Sequence, residues 1–234
     1  MIIHCIWEHN GTDTLLYAAD FAGAYTRGAS LDEALQKMPD EIRSYCRWLG
    51  TDVSEPLECT ITQEVSSSLL IRDADSDVLF DEERLPLSPN EYHFLKAAVL
   101  RSAHDFLTLY HSIPDVNQSC LPARKTFYGS LPCTAKEMYD HTKSVNSYYF
   151  GEIGIPADNE GNIFECRQRG FEQLEKEPDF LSNLLHNGSY NELWTLRKLL
   201  RRFLWHDRIH AKAMRRMALR TFPEAAIPNP FCFE

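Results

Sequence analysis

The residues of this chain whose spacing suggests chemistry are histidines. His206 and His210 stand four positions apart in a run where Leu193, Leu196, Leu199, Leu200, Phe203, Ala213, Met214 and Met217 recur at helical spacing. On a helix such a pair shares one face, with β-carbons roughly 6 Å apart, so both imidazoles can reach a single ion. A buried imidazole needs a partner, and two stacked on a core face need a shared reason. A third candidate is His141, in a second helical stretch where Met138, His141, Val145 and Tyr148 follow 3-4-3 spacing. Three neutral nitrogens from two facing helices would leave one coordination position for water or substrate, which a catalytic site requires and a structural site avoids. Imidazole donors favour zinc or nickel, then iron, over magnesium or calcium.

The neighbours of the pair extend the candidate site. HDRIH differs from the HExxH of zinc proteases by the shorter Asp207, and no downstream His or Glu completes such a site, so the protease reading falls away. Asp207 is a candidate base, or more commonly the group that orients an imidazole. Arg208, beside the ligands, is a candidate anion-holding group. The other basic residues of the stretch (Arg197, Lys198, Arg201, Arg202, Lys212, Arg215, Arg216 and Arg220) read as a solvated face paired with acidic neighbours. Tyr148 and Tyr149 read as core packing. Spacing identifies no partner for the remaining histidines.

The elements that must position these groups carry legible start and stop signals. Four stretches have a capping residue followed three positions later by Glu: Ser30/Glu33, Ser88/Glu91, Thr134/Glu137 and Ser189/Glu192. They predict helices over 30–49, 88–111, 134–149 and 189–220, with Gly50 stopping the first and Pro223 following the last. A weaker helical pattern covers 163–185, interrupted at Glu177-Pro178. Residues 1–7, 14–21 and 57–65 read as strands, with a short extended piece near Tyr25 and an Asn-Gly turn at 10–11. Residues 67–87 read as a strand remnant and then a polar, acidic linker. The expectation is an α+β chain with two cores: a small α/β domain at 1–66 with an antiparallel sheet and one helix, then a four-helix bundle at 88–222 with a long crossover at 112–133, and a tail at 223–234.

Two segments resemble known families. Residues 191–216, NELWTLRKLLRRFLWHDRIHAKAMRR, are similar to the final helix of the DinB-like (YfiT-like) family, where a Trp- and Arg-rich run leads into a His-acid-x-x-His pair. Residues 134–150, TAKEMYDHTKSVNSYYF, resemble that family's second helix. The resemblance covers about 88–222 and implies a four-helix bundle holding a divalent metal on His141, His206 and His210. Several members of the family are thiol S-transferases or isomerases acting on small thiols, and others have no known activity. A metal-bound small thiol held as thiolate is therefore implied, with a non-catalytic interaction protein as the alternative. Residues 19–50, with GASLDEAL opening a helix, are similar to HicB-like domains, which neutralise a small RNA-cleaving partner in toxin–antitoxin systems and recur as fused modules elsewhere. Both resemblances imply a homodimer.

Bulk composition sets outer bounds. A net charge of −10 over 234 residues argues against general nucleic-acid binding, which rewards a basic face. No stretch approaches the roughly 20 apolar residues of a membrane span. Residues 1–14 lack the pattern of a signal peptide. Seven scattered cysteines without a CxxC pair read as reduced thiols in a cytoplasm.

Overall fold

The computed structural model describes residues 1–71, 75–126 and 129–234. Strands β1 (Ile2–His9), β2 (Thr14–Ala18), β3 (Tyr25–Gly28) and β4 (Glu58–Ser66) form one sheet in the order β3-β2-β1-β4. Between β3 and β4 runs helix α1 (Leu31–Leu49). The β1–β2 and β2–β3 pairs are antiparallel, but β4 lies parallel to β1. The expected antiparallel sheet is thus mixed, because the crossover through α1 returns the chain to enter β4 in the direction of β1.

Helix α1 starts and stops where its residue types dictate. The Ser30 hydroxyl accepts from the Glu33 amide at 3.3 Å, and the Glu33 carboxylate accepts from the Ala29 amide at 2.9 Å. Gly50 ends the helix in the left-handed region at φ 71°, where a side chain would be strained. Ala34, Met38, Ile42, Tyr45 and Trp48 are buried along one face.

Beyond the sheet the chain is mainly helical: α2 (Pro89–His111), α3 (Ala135–Glu152), α4 (Ile163–Leu174) and α5 (Leu196–Thr221). Helix α5 packs on α2 and α3, and α4 packs on the same two helices. The capping boxes at Ser88/Glu91 and Thr134/Glu137 are both formed. A further one, Asn162/Glu165, opens α4, which ends at Leu174, short of Glu177-Pro178.

Two expectations need correction. Ser189 does not open the last helix. Tyr190 and Asn191 take positive φ, and Leu193–Trp194 instead pairs antiparallel with His186–Asn187. Thr195 caps α5, its hydroxyl accepting from the Lys198 amide at 3.2 Å, while the Glu192 carboxylate lies 2.8 Å from the buried Lys198 ammonium. Nor is 67–87 a solvated linker over its described part (72–74 of the expected remnant and linker lie outside the described residues). Ile71, Val78 and Phe80 are buried with Ile6, Leu15, Tyr17, Tyr25 and Trp205, between sheet and α5. The carbonyls of Ser76, Asp77 and Val78 accept from Arg202, Lys198 and Arg201. Side chains of α5 thus satisfy these three backbone acceptors.

The larger apolar cluster runs across residue 87, joining Leu16, Met38 and Trp48 to Phe106, Phe203 and Leu204. The contact is close at Gly23, where φ is +89° and a β-carbon would collide with Leu204. The residues after α5 also fold back. Phe231 packs on Trp48 with the rings tilted and their centroids 5.4 Å apart, and Ser44 donates to the Cys232 carbonyl at 2.9 Å. No helix among the described residues is long and apolar enough to cross a membrane.

Candidate metal centre

Helices α3 and α5 bring His141, His206 and His210 together. One ligand atom from each lies within 4.8 Å of the other two, and the ring centroids are 4.5 to 5.0 Å apart. The Nε2 atoms of His141 and His206 are separated by 3.2 Å. Two nitrogens bound to one zinc at tetrahedral geometry stand about 3.3 Å apart, so this pair already has the spacing of shared ligands. Among the described residues this is the group of histidine, cysteine or carboxylate side chains that can hold a metal ion.

His206 and His210 share one face of α5, as their spacing predicts, whereas His141 lies off the buried stripe of α3. His206 is 8% exposed and His210 is half-buried. The buried stripe of α3 is Met138, Thr142, Asn146 and Tyr149, one step round the helix from the stripe read in the sequence. His141 therefore sits exposed at the rim, with its Nε2 turned toward His206. The site opens to solvent on this side.

Burial makes all three rings poor proton acceptors. It depresses the His141 pKa below its ordinary 6.5 and pushes His210 down to about 3, with His141 adding to the effect on His210. His206 lies well below 6.5, by burial first and then by the neighbouring His210 and His141. Neutral imidazoles are the form that binds metal. The His206 Nδ1 is buried with no hydrogen-bond partner, although a metal-bound imidazole usually donates from its second nitrogen.

Asp207 and Arg208 face elsewhere. Asp207 is fully buried, and its Oδ2 accepts from Ser102 Oγ at 2.8 Å and from Arg167 at 2.5 Å. Burial pushes its carboxyl up, against the pull of Arg167 and Ser102. Side chains of α2, α4 and α5 are thereby tied through one carboxylate. Arg208, 1% exposed, donates to Glu41 Oε1 of α1 at 2.6 Å and lies over Tyr45, Trp48 and Phe233. Neither side chain hydrogen-bonds to a histidine of the group. The sequence placed them beside the ligands only because they are next in the chain; on a helix, consecutive residues point about 100° apart.

The solvated basic face is also corrected. Lys198 and Arg201 are buried, Lys198 meeting Glu192 and Arg201 making a bidentate pair with Glu83. Burial pushes the Lys198 ammonium down to about 8. These cations do find acidic partners, but inside the molecule. Tyr149 is core, as read, its ring 6.1 Å from that of His206, while Tyr148 is 37% exposed.

Sequence reasoning missed Arg202 as a neighbour of the site. It stands one turn before His206, its guanidinium near the rings of Tyr149, Trp194 and Trp205 at 5.5, 5.6 and 4.9 Å. Its Nη1 donates to the Ser76 carbonyl at 2.5 Å. The i−4 offset from His206 was the available signal.

No family model, curated protein or solved structure matches this chain.

Proposed function

We propose that the protein is a metal-dependent enzyme that holds one divalent ion on His141, His206 and His210 and acts on a small thiol or a thiol adduct. The observation that carries the metal part is the 3.2 Å approach of two Nε2 atoms, with His210 completing the group. The donor set suits zinc, nickel or iron. Bound there, the ion would supply positive charge that favours the thiolate form of a thiol. The chain's part is to keep the imidazoles neutral by burial, to leave one side of the site open at His141, and to place the Arg202 cation nearby. The thiol part rests on the resemblance to DinB-like bundles, as do the four-helix bundle reading of α2–α5 and the homodimer. In this reading Asp207 and Arg208 brace α5 rather than touch substrate.

The alternative is a non-catalytic interaction protein, in which the metal would only pin α3 to α5 and a HicB-like sheet domain would bind a protein partner.

Cobalt substitution separates the two. In the enzyme reading, a panel of small thiols shifts the visible spectrum of the cobalt protein, and an electrophile is turned over. A spectrum that no thiol perturbs, with no turnover, would remove the thiol reading. Sedimentation at micromolar concentration tests the homodimer: a particle of only 27.0 kDa would exclude it.

A further inference from the structure

A cavity of ≈ 480 Å³ lies where β3 and α1 meet α5. Small-molecule sites commonly span about 300 to 1,000 Å³, so the volume suits a metabolite-sized ligand. None of the three histidines lines it, although Ile209 and Ala213 of the same helix do. It is a separate site.

Its walls are charged, and the charges are not evenly matched. Each acidic side chain of the wall is held by a cation outside the lining. Asp40 pairs with Arg43 at 2.7 Å, Glu234 with Arg47 at 2.5 Å, and Glu41 with Arg208 at 2.6 Å. On the basic side, Lys37 meets Glu33 at 2.5 Å, and Arg27 donates to the Ile71 carbonyl. That leaves Lys212 and Arg216. Lys212 reaches Glu41 at 3.2 Å, but this carboxylate is already engaged by Arg208. Arg216 makes no hydrogen bond or salt bridge among the described residues.

Lys212 and Arg216 stand four apart on α5, so two like charges project onto one helix face. Such a pair is mildly destabilising on its own. It is also unexpected on a chain whose net charge is −10. The floor beside the two cations is apolar: Tyr25, 8% exposed, with Ile209 and Ala213. An arginine fork and a lysine point charge above an apolar floor match an oxyanion attached to a carbon skeleton.

We propose that this cavity binds a small organic dianion, its phosphate monoester or paired carboxylates held by Lys212 and Arg216 and its carbon skeleton resting on Tyr25, Ile209 and Ala213. The site does not depend on the metal reading. A ligand there would bridge α1 and α5, the two elements already joined by Glu41 and Arg208.

Calorimetric titration of the metal-free full chain at low salt tests this, with ribose 5-phosphate, succinate and inorganic phosphate as probes. The expected result is one-to-one binding of ribose 5-phosphate or succinate, tighter than about 1 mM; whichever binds identifies the source of the dianion. Arg216→Ala should weaken that binding by about tenfold or more, as loss of a charge-assisted contact does, and Lys212→Gln should weaken it in the same direction. Arg220→Ala, an exposed change on the same helix, should leave it unaltered, as should His210→Ala. A failed metal site thus leaves this prediction standing. No binding of either organic probe up to about 10 mM would overturn the proposal, as would unchanged affinity in Arg216→Ala. Equal affinity for inorganic phosphate would overturn its organic part.

Discussion

Arg208 of α5 and Glu41 of α1 form a buried ion pair at 2.6 Å, and it joins the sheet-bearing half of the chain to the helical half. Lys212 adds a second cation to the same carboxylate. Glu41 is 6% exposed, so neither partner can turn to water if the other is lost.

Glu41→Ala should therefore destabilise the whole protein. Breaking a buried pair by removing one partner typically costs about 3 to 5 kcal/mol, because the remaining charge stays buried. Equilibrium unfolding in urea is the measurement. A loss below about 1 kcal/mol, the range of a surface pair, would show that Arg208 finds solvent without Glu41.

Asp207→Asn distinguishes bracing from catalysis. The carboxylate joins Arg167 and Ser102 in the interior and makes no hydrogen bond to the histidines. The variant should lose a few kcal/mol of stability, by the same reasoning about an uncompensated buried charge, while still binding metal at wild-type stoichiometry. Full stability with abolished turnover would return Asp207 to the role of base.

The caps at Ser30, Ser88 and Thr134 were legible because a short oxygen donor or acceptor three residues before a Glu satisfies local backbone groups, whatever the tertiary context. Ser189 carries the same pattern and fails, because Lys198 engages the Glu192 carboxylate and residues 193–194 pair in a ribbon. That competition is tertiary. The histidine pair was legible for the same reason as the caps: four residues on one helix is a local distance. His141 was found from an apolar period read one step off, and the resemblance supplied what spacing did not. The burial of Arg201 and Arg208 was illegible, since a basic stripe on an amphipathic helix looks solvated until its acidic partners, Glu83 and Glu41 far away in sequence, are known. The apolar residues of 67–87 follow neither a helical nor a strand period, yet three of them, Ile71, Val78 and Phe80, fill the space between sheet and α5.

The histidine group also sets an acid limit on the metal-free protein. His210 has a folded pKa of about 3, below the 6.5 of the unfolded chain, and His141 and His206 are shifted in the same direction. Between those values the unfolded chain binds protons that the folded chain does not. The stabilising contribution is whole above pH 6.5 and is lost progressively as pH falls toward about 3. Urea midpoints of the metal-free protein should drop across that window, and His210→Gln should show a shallower drop. Parallel curves for the two proteins would mean that His210 is not held neutral by the fold.

The last prediction concerns the ion itself. One divalent ion per chain should bind after reconstitution with zinc, nickel or iron. Each ligand must be neutral to bind, so in competition with protons occupancy should be greatest near neutral pH and fall in acid. A ligand that binds only the folded chain stabilises it by RT ln(1 + [L]/Kd), about 2.7 kcal/mol at a hundredfold excess over Kd. Chelation should therefore lower the melting temperature as well as strip the metal. His210→Ala should lose most of the affinity, because two imidazoles would remain where three converge. His104→Ala should lose none: that ring is exposed on α2 and its nearest partner is Asp105 at 3.4 Å. Elemental analysis reads the outcome directly. A stoichiometry near zero with all three metals would mean that the 3.2 Å contact between His141 and His206 is an ordinary hydrogen bond between neutral rings, one donating to the other.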